Sequence, residues 1–318
     1  MSKSDNNNDK IVVLHIASTG RSGSTLLERI LNELPGFFAA GELAWVDLFT
    51  KERACLCGSK FDDCPMWGKI RRNSAFKKID EETFVKASKK YQRIIEFLKL
   101  WGLLKIRRMP NDFKQYLESL QILYSTIQNE SNCQVITDSS VSFLYGYYLS
   151  LIPSIDLYVL HLVRHPNGFA YSRKWVKLNS EGVPWSKAIA FRQSAFTWLK
   201  KNSVIELFFQ KSKYLRVHYE DFIKNPTQVI KRTRKMLNHQ LDGQLSFING
   251  SRVNLGEQHI TSGNVDAVGK QKEEIVLKLD ERWKRDMKWW NIVFVTLITW
   301  PLLLKYFIAD KMMKKRYF

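Results

Sequence analysis

Cysteine is scarce in this chain, with four in 318 residues, too few for a disulfide scaffold. Glycine (15) and proline (8) are sparse as well, and with 45% hydrophobic residues this excludes a collagen-like or mainly disordered chain. Acidic residues are in deficit, 31 against 50 Lys and Arg, for a formal charge of +19. An acidic ligand, nucleic acid or an anionic membrane surface is therefore the partner to weigh. Neither zinc-finger spacing nor an RNA-recognition signature supports nucleic acid. Long apolar runs are missing from the start of the chain: Met1 to Lys10 is polar and Asn-rich, read as a disordered segment, and Ile11 to Ile16 is shorter than a signal-peptide core. A cytoplasmic protein is expected. Near the other end, the uncharged run Trp289 to Leu304 is interrupted by Pro301 and falls short of the ~20 residues of a spanning helix. Lys311, Lys314, Lys315 and Arg316 follow it. Residues 289–318 are expected to form a helix that packs on the domain or lies against a membrane surface.

What is present is an alternation of strands and helices. Residues 11–17, Ile-Val-Val-Leu-His-Ile-Ala, read as a parallel strand buried on both faces. A Gly-Ser-rich turn follows, then a helix over Thr25 to Leu34 with Leu26, Leu27, Ile30, Leu31 and Leu34 on one side. Phe37 to Ala40 reads as a second strand. Residues 157–163 repeat the strand pattern and end in Arg164-His165-Pro166, where the proline suits the first turn of a helix. Tyr214 to His218 is a further strand, followed by a helix over Thr227 to Leu237. Together these predict an α/β fold with a central parallel β-sheet flanked by helices over residues 11–288. Residues 69–130 are long basic helical stretches, a helical insertion that is either a lid over an acceptor or a second helical layer.

The loop Ser18-Thr19-Gly20-Arg21-Ser22-Gly23-Ser24-Thr25 sits where a strand hands over to a helix, and there unpaired N–H groups and the helix dipole favour an anion. Gly20 and Gly23 let the backbone approach it closely, Ser22, Ser24 and Thr25 supply hydroxyl donors, and Arg21 supplies a fixed charge. The loop is P-loop-like without being a Walker A motif, since Ser18 and Ser24 stand at the positions of its first Gly and its Lys.

Gly20 to Leu27 resembles the 5′-phosphosulfate loop of sulfotransferases that use 3′-phosphoadenosine 5′-phosphosulfate (PAPS), with motif similarity to bacterial, tyrosylprotein and carbohydrate members. Three further segments match in order: Leu160 to Pro166 continuing to Ser172, Tyr219-Glu220-Asp221-Phe222 with Asn225-Pro226, and His259 to Asn264 leading to Trp283. The resemblance implies that Gly20 to Thr25 hold the 5′-phosphosulfate and that Arg164 and Ser172 hold the 3′-phosphate. It also implies that Tyr219 lines the nucleotide site and that Gly263 and Asn264 belong to a loop covering it. Glu42, in Gly41-Glu42 at the family's spacing from Arg21, corresponds to the base that takes the acceptor's proton. His259 and His15 are weaker alternatives.

Sulfuryl transfer requires alignment and stabilisation of the leaving phosphate rather than a metal, so none is expected in the reaction. The acceptor is a hydroxyl of a carbohydrate, lipid headgroup or small alcohol. Two departures bear on catalysis. Family members place a Lys after Asp-Ser-Ser, where this chain has Val141, and Val265-Asp266-Ala267 replaces the usual residues after Gly-Asn, with Lys270 the nearest cation. Either other cations compensate, or the chain is a non-catalytic nucleotide-binding relative; an ATP-dependent P-loop kinase is less favoured. Cys55, Cys57 and Cys64 could hold zinc with Cys133 or a His, but the spacing is not the paired C-x₂-C form. Buried reduced thiols around a Trp are the favoured reading.

Overall fold

The computed structural model describes residues 10–45, 48–49, 54–174, 177–178, 184–186, 189–238, 245–261 and 273–316, with side chains to residue 308 except in the two short segments between 177 and 186. Five parallel strands form the central sheet: β1 (Ile11–Ser18), β2 (Phe37–Gly41), β3 (Val135–Asp138), β4 (Ile155–Val163) and, further along, β7 (Lys213–His218). Their order is β2-β3-β1-β4-β7, and the parallel sheet flanked by helices is the one that the strand–helix alternation predicts. β1 is central, with His15 opposite Asp138 of β3 and Ser18 opposite Leu162 of β4. Buried on both faces, it reads as a continuous apolar run. β3 was not anticipated; its four residues lie between β1 and β2. A ribbon of β5 (Lys177–Leu178) and β6 (Pro184–Ser186) and an antiparallel sheet of β8 (Ile248–Asn249), β9 (Arg252–Leu255) and β10 (Glu273–Val276) lie outside the main sheet.

Helix α1 (Ser24–Leu31) follows the Gly-Ser loop. It ends three residues before the predicted Leu34, because Glu33 and Leu34 close shorter turns onto Ile30 and Leu31, and Leu34 is buried from that turn. Helices α2 (Trp67–Arg72), α3 (Glu81–Tyr91), α4 (Ile94–Lys105) and α5 (Asn111–Ser131), with α6 (Phe143–Ser150), build one aromatic core. Trp67, Tyr91, Phe97, Phe113, Tyr116 and Tyr148 are among its large buried side chains. The stretch 69–130 is thus a packed helical layer; only its Gln92–Ile94 corner reaches the cavity described below.

Helices α7 (Pro166–Arg173) and α8 (Phe191–Phe209) cover the sheet beside β4, and α9 (Tyr219–Lys224) and α10 (Pro226–Met236) follow β7. After α11 (Arg282–Asp286), α12 (Trp289–Arg316) runs straight through Pro301. The expectation that its apolar run is too short to span a bilayer is corrected: Trp289–Ile308 is long and apolar enough. One face packs on α7 and α8 through Val295, Leu302 and Tyr306, anchored by Lys305 on the buried Glu206 carboxylate. The other leaves Trp289, Leu297, Trp300 and Phe307 more than half exposed.

Candidate active site

Four strands bring their following residues to one edge of the sheet: the loop after β1, Glu42 after β2, Arg164 after β4 and Tyr219 after β7. This is the carboxyl edge, the side on which open parallel sheets bind ligands. In the loop, Gly20, Arg21 and Gly23 have φ of 75°, 56° and 87°. Left-handed backbone at Arg21 costs roughly 1 kcal/mol or more unless its surroundings hold it. Here Arg164 does so, its Nη1 donating to the Arg21 carbonyl at 3.1 Å. The buried Ser22 hydroxyl donates to the Gly20 carbonyl and meets Thr19 Oγ1 at 3.0 Å, tightening the turn. A methyl group on Gly20 would meet nothing within 4 Å among the described residues, whereas one on Gly23 would strike the Tyr219 ring at 2.9 Å. The loop is therefore open at Gly20 and closed at Gly23. Gly23 precedes α1 without a side-chain cap, and Ser24 and Thr25 begin the helix, so its first N–H groups point toward the loop.

Arg164 is 7% exposed. Its guanidinium lies 4.7 Å over the Tyr219 ring and pairs through Nη2 with Asp280 at 3.0 Å. Its Nε is buried with no acceptor among the described residues. Asp280 is held well below the ordinary carboxylate range, first by Arg282 and then by Arg164. Ser172 lies near the end of α7, its hydroxyl donating to the Phe169 carbonyl one turn back rather than facing Arg164 through a hydrogen bond. Gly263 and Asn264, and with them Val265 to Lys270, lie outside the described residues.

Glu42 is half-buried. The turn that carries it is fixed from below by residues that sequence reasoning did not single out. Glu28 of α1 accepts the Gly41 N–H at 2.8 Å and the Ser139 hydroxyl. Ser139 N–H donates to the Gly41 carbonyl, and Ser140 accepts the Ala44 N–H at 2.9 Å. Asp-Ser-Ser after β3 thus scaffolds the turn that presents Glu42. Burial pushes Glu28 well above the usual carboxylate range, with Ser139 and Gly41 opposing. Asp138 rises to about 6, also by burial, although Tyr124 and the Ser140 N–H bond to it.

A cavity of about 350 Å³ opens between Ser18, Trp45, Val141, Phe143, Lys201 and Ile205, and Glu42 reaches it electrostatically through Lys201. Val141 leaves its wall apolar where a family Lys is expected, but Lys201 from α8 enters the same cavity. Burial lowers the Lys201 ammonium, nearby Arg173 lowers it further, and Glu42 opposes both. Arg173 is likewise lowered by burial and then by Arg21. Arg21, Arg173, Lys201 and Glu42 therefore form one electrostatic group. A run of basic side chains on α7 and α8 offers no pattern by which Arg173 or Lys201 could be picked out in the sequence.

The alternative bases, His15 and His259, lie in other surroundings. His15 is fully buried and lowered to about 4 by burial. His259 faces Cys64, Nδ1 to Sγ 3.4 Å. Cys133 is not part of the cysteine cluster, which gathers Cys55, Cys57, Cys64 and His259.

A model of the "Sulfotransferase family" matches residues 14–242. Among solved structures, the sulfotransferase domain from the curacin biosynthetic pathway is 17% identical at a TM-score of 0.43, covering 81% of this chain and 82% of that one. The sulfotransferase domain of the Synechococcus PCC 7002 olefin synthase is 20% identical at 0.40, covering 77% and 78%. A sulfotransferase from Alicyclobacillus acidocaldarius is 13% identical at 0.36, covering 74% and 85%. No curated protein matches the chain. The family match spans the loop, Glu42, Arg164 and Tyr219 and well over half of the sequence, and the chain belongs to the sulfotransferase family.

Proposed function

We propose that this protein transfers a sulfuryl group from PAPS to an alcohol. The observation that carries the reading is the left-handed loop at the start of α1, braced by a buried arginine whose Nε has no acceptor among the described residues. An open, N–H-lined turn next to a committed guanidinium fits two phosphate groups at the ends of one nucleotide. PAPS supplies an activated sulfate whose sulfur–oxygen bond to phosphate breaks in the reaction. Glu42 takes the acceptor's proton as that oxygen bonds sulfur. Arg21 and the first N–H groups of α1 stabilise the phosphate oxygen that carries the departing charge. Lys201 supplies the cation that Val141 cannot. Arg164 and Tyr219 hold the 3′-phosphate end, with Ser172, Gly263 and Asn264 assigned to the same nucleotide by family resemblance.

The acceptor enters the cavity that Lys201 lines. Its apolar wall favours a small alcohol or the alcohol of a lipid over a bare carbohydrate, whose hydroxyls would lose water without replacement. The outward face of α12, with Leu297, Phe307 and the indoles of Trp289 and Trp300 exposed and a basic run following in sequence, fits an anionic membrane surface. A chain of +19 would be drawn there.

Calorimetric titration with adenosine 3′,5′-bisphosphate against ATP plus magnesium tests the donor. Preference for ATP discards the proposal. Tight bisphosphate binding without sulfation of any alcohol in a broad panel assigns a non-catalytic role instead.

A further inference from the structure

Cys55, Cys57, Cys64 and His259 come together although His259 is almost 200 residues away in sequence, and their four donor atoms lie within 4.8 Å of one another. All three cysteines are buried and unbridged. A tetrahedral ion with metal–sulfur bonds of ~2.3 Å sets sulfurs ~3.8 Å apart, so side-chain shifts of about 1 Å complete the shell. From this convergence we infer a structural zinc site, Cys₃His, separate from the sulfuryl-transfer site and independent of the function proposed for it.

The surroundings suit an occupied site. Cys55-Leu56-Cys57-Gly58 forms a tight turn, closed by the Gly58 N–H on the Cys55 carbonyl at 2.9 Å, with Gly58 at φ 88° where a side chain would be strained. A backbone N–H from Trp67 points at Cys64 Sγ at 3.5 Å, a donor that stabilises thiolate rather than thiol. With His259 Nδ1 toward Cys64, its Nε2 faces the Glu257 carboxylate at 3.6 Å. A carboxylate behind a ligating imidazole fixes the tautomer and raises its basicity. Three thiolates and an imidazole exclude magnesium and calcium and favour zinc. With four protein donors the shell is closed, which marks a structural rather than a catalytic ion.

The site would clip two distant segments together near Glu42. Leu56 N–H donates to the Ile260 carbonyl at 2.9 Å and Trp67 Nε1 to the His259 carbonyl at 2.5 Å. Thr261, two residues beyond the histidine, donates through N–H and hydroxyl to the Ala40 carbonyl, just ahead of Gly41-Glu42. Zinc at this point would hold the end of β2 without touching substrate.

The test uses the full-length chain, purified without a polyhistidine tag or chelator from zinc-containing medium. Elemental analysis is expected to find about one zinc per chain. Exchange into Co²⁺ should give the intense visible bands of a tetrahedral ion with thiolate charge transfer in the near ultraviolet. Cys64→Ser should abolish that spectrum, while Cys133→Ser, outside the cluster, should keep it. Should Cys64→Ser fail to fold, the wild-type metal content and cobalt spectrum still decide. A metal-free protein that gives no tetrahedral cobalt spectrum, or a Cys55–Cys64 disulfide in the isolated chain, overturns the assignment.

Discussion

Arg164→Ala removes the side chain to which the proposed function assigns the 3′-phosphate of the nucleotide. In the unliganded protein the guanidinium does three things. It braces the Arg21 carbonyl at 3.1 Å, faces Tyr219 at 4.7 Å and neutralises Asp280 at 3.0 Å. Its side chain is 8% exposed and that of Asp280 21%, so water compensates only in part for its loss. Breaking a buried pair costs about 3–5 kcal/mol; the partial exposure of Asp280 brings the expected loss of stability to about 2 kcal/mol. Loss of one charge-assisted contact to a phosphate adds about 1.5–3 kcal/mol in binding, a roughly 10- to 150-fold weaker Kd for adenosine 3′,5′-bisphosphate by calorimetry. Asp280→Asn separates the two effects, because it frees Nη2 and removes a negative charge that competes with phosphate. That variant should bind the bisphosphate severalfold more tightly, although it loses an ion pair. If Arg164→Ala folds and binds with unchanged affinity, the guanidinium is a loop brace only and the 3′-phosphate lies elsewhere.

Glu42→Gln should leave bisphosphate affinity near that of the wild type and lower kcat about a hundredfold or more; unchanged turnover would remove Glu42 as the base. Lys201→Met should lower kcat by about 10²-fold, and adding Val141→Lys to it should restore part of the loss, since both positions line one cavity. Lack of any effect from Lys201→Met would mean that the missing family cation is not replaced from α8. Burial lowers His161 to about 3, and His15 and His165 to about 4, so each stays neutral when folded and its contribution to stability, complete above pH 6.5, is lost as pH falls toward those values. The raised Asp138 works in the opposite direction below about 6, and the unfolding free energy from urea titrations at pH 7 to 5 should fall less steeply in His161→Gln, by up to about 1.4 kcal/mol per pH unit. Leu297→Glu with Trp300→Glu should abolish flotation with vesicles containing anionic lipid while leaving the buried face of α12 intact; retained flotation would assign membrane contact to another surface.

The sheet was legible because its central strands carry unusually long apolar runs, and β1 and β4 need no partner information to be recognised. β3 escaped because Val-Ile-Thr-Asp is only four residues, made a strand by β1 and β2 on either side. The end of α1 was overrun because Leu34 keeps the helical spacing while packing from a turn. In α12 the helix was legible through Pro301, which is exposed, and Val295, Leu302 and Tyr306 dock the helix on both sides of it; only the length of its apolar stretch was underestimated, because the count stopped at Lys305. The anion loop could be read locally, since strand, glycines and helix lie within about twenty residues. The supports of Glu42 could not, because Glu28, Ser139 and Ser140 reach it through contacts across the fold.

The same limit governs the site's charge. Val141 removes a cation at the position where the family pattern supplies one, and a linear reading then leaves the leaving group short of positive charge. In three dimensions Lys201 arrives from α8, more than 150 residues after Glu42 and sixty after Val141, and enters the cavity that Val141 lines. Its ammonium is depressed by burial and by Arg173, which is itself depressed by burial and by Arg21. Like charge is thus crowded at Arg173 and Lys201, and Glu42 opposes it at Lys201. In the proposed reaction an incoming dianion would remove that repulsion as it binds, and the charge developing on its phosphate oxygen would meet groups already in position. Crowding of like charge beside one carboxylate is what the proposed transfer requires, and α8, which brings Lys201, also lines the cavity assigned to the acceptor.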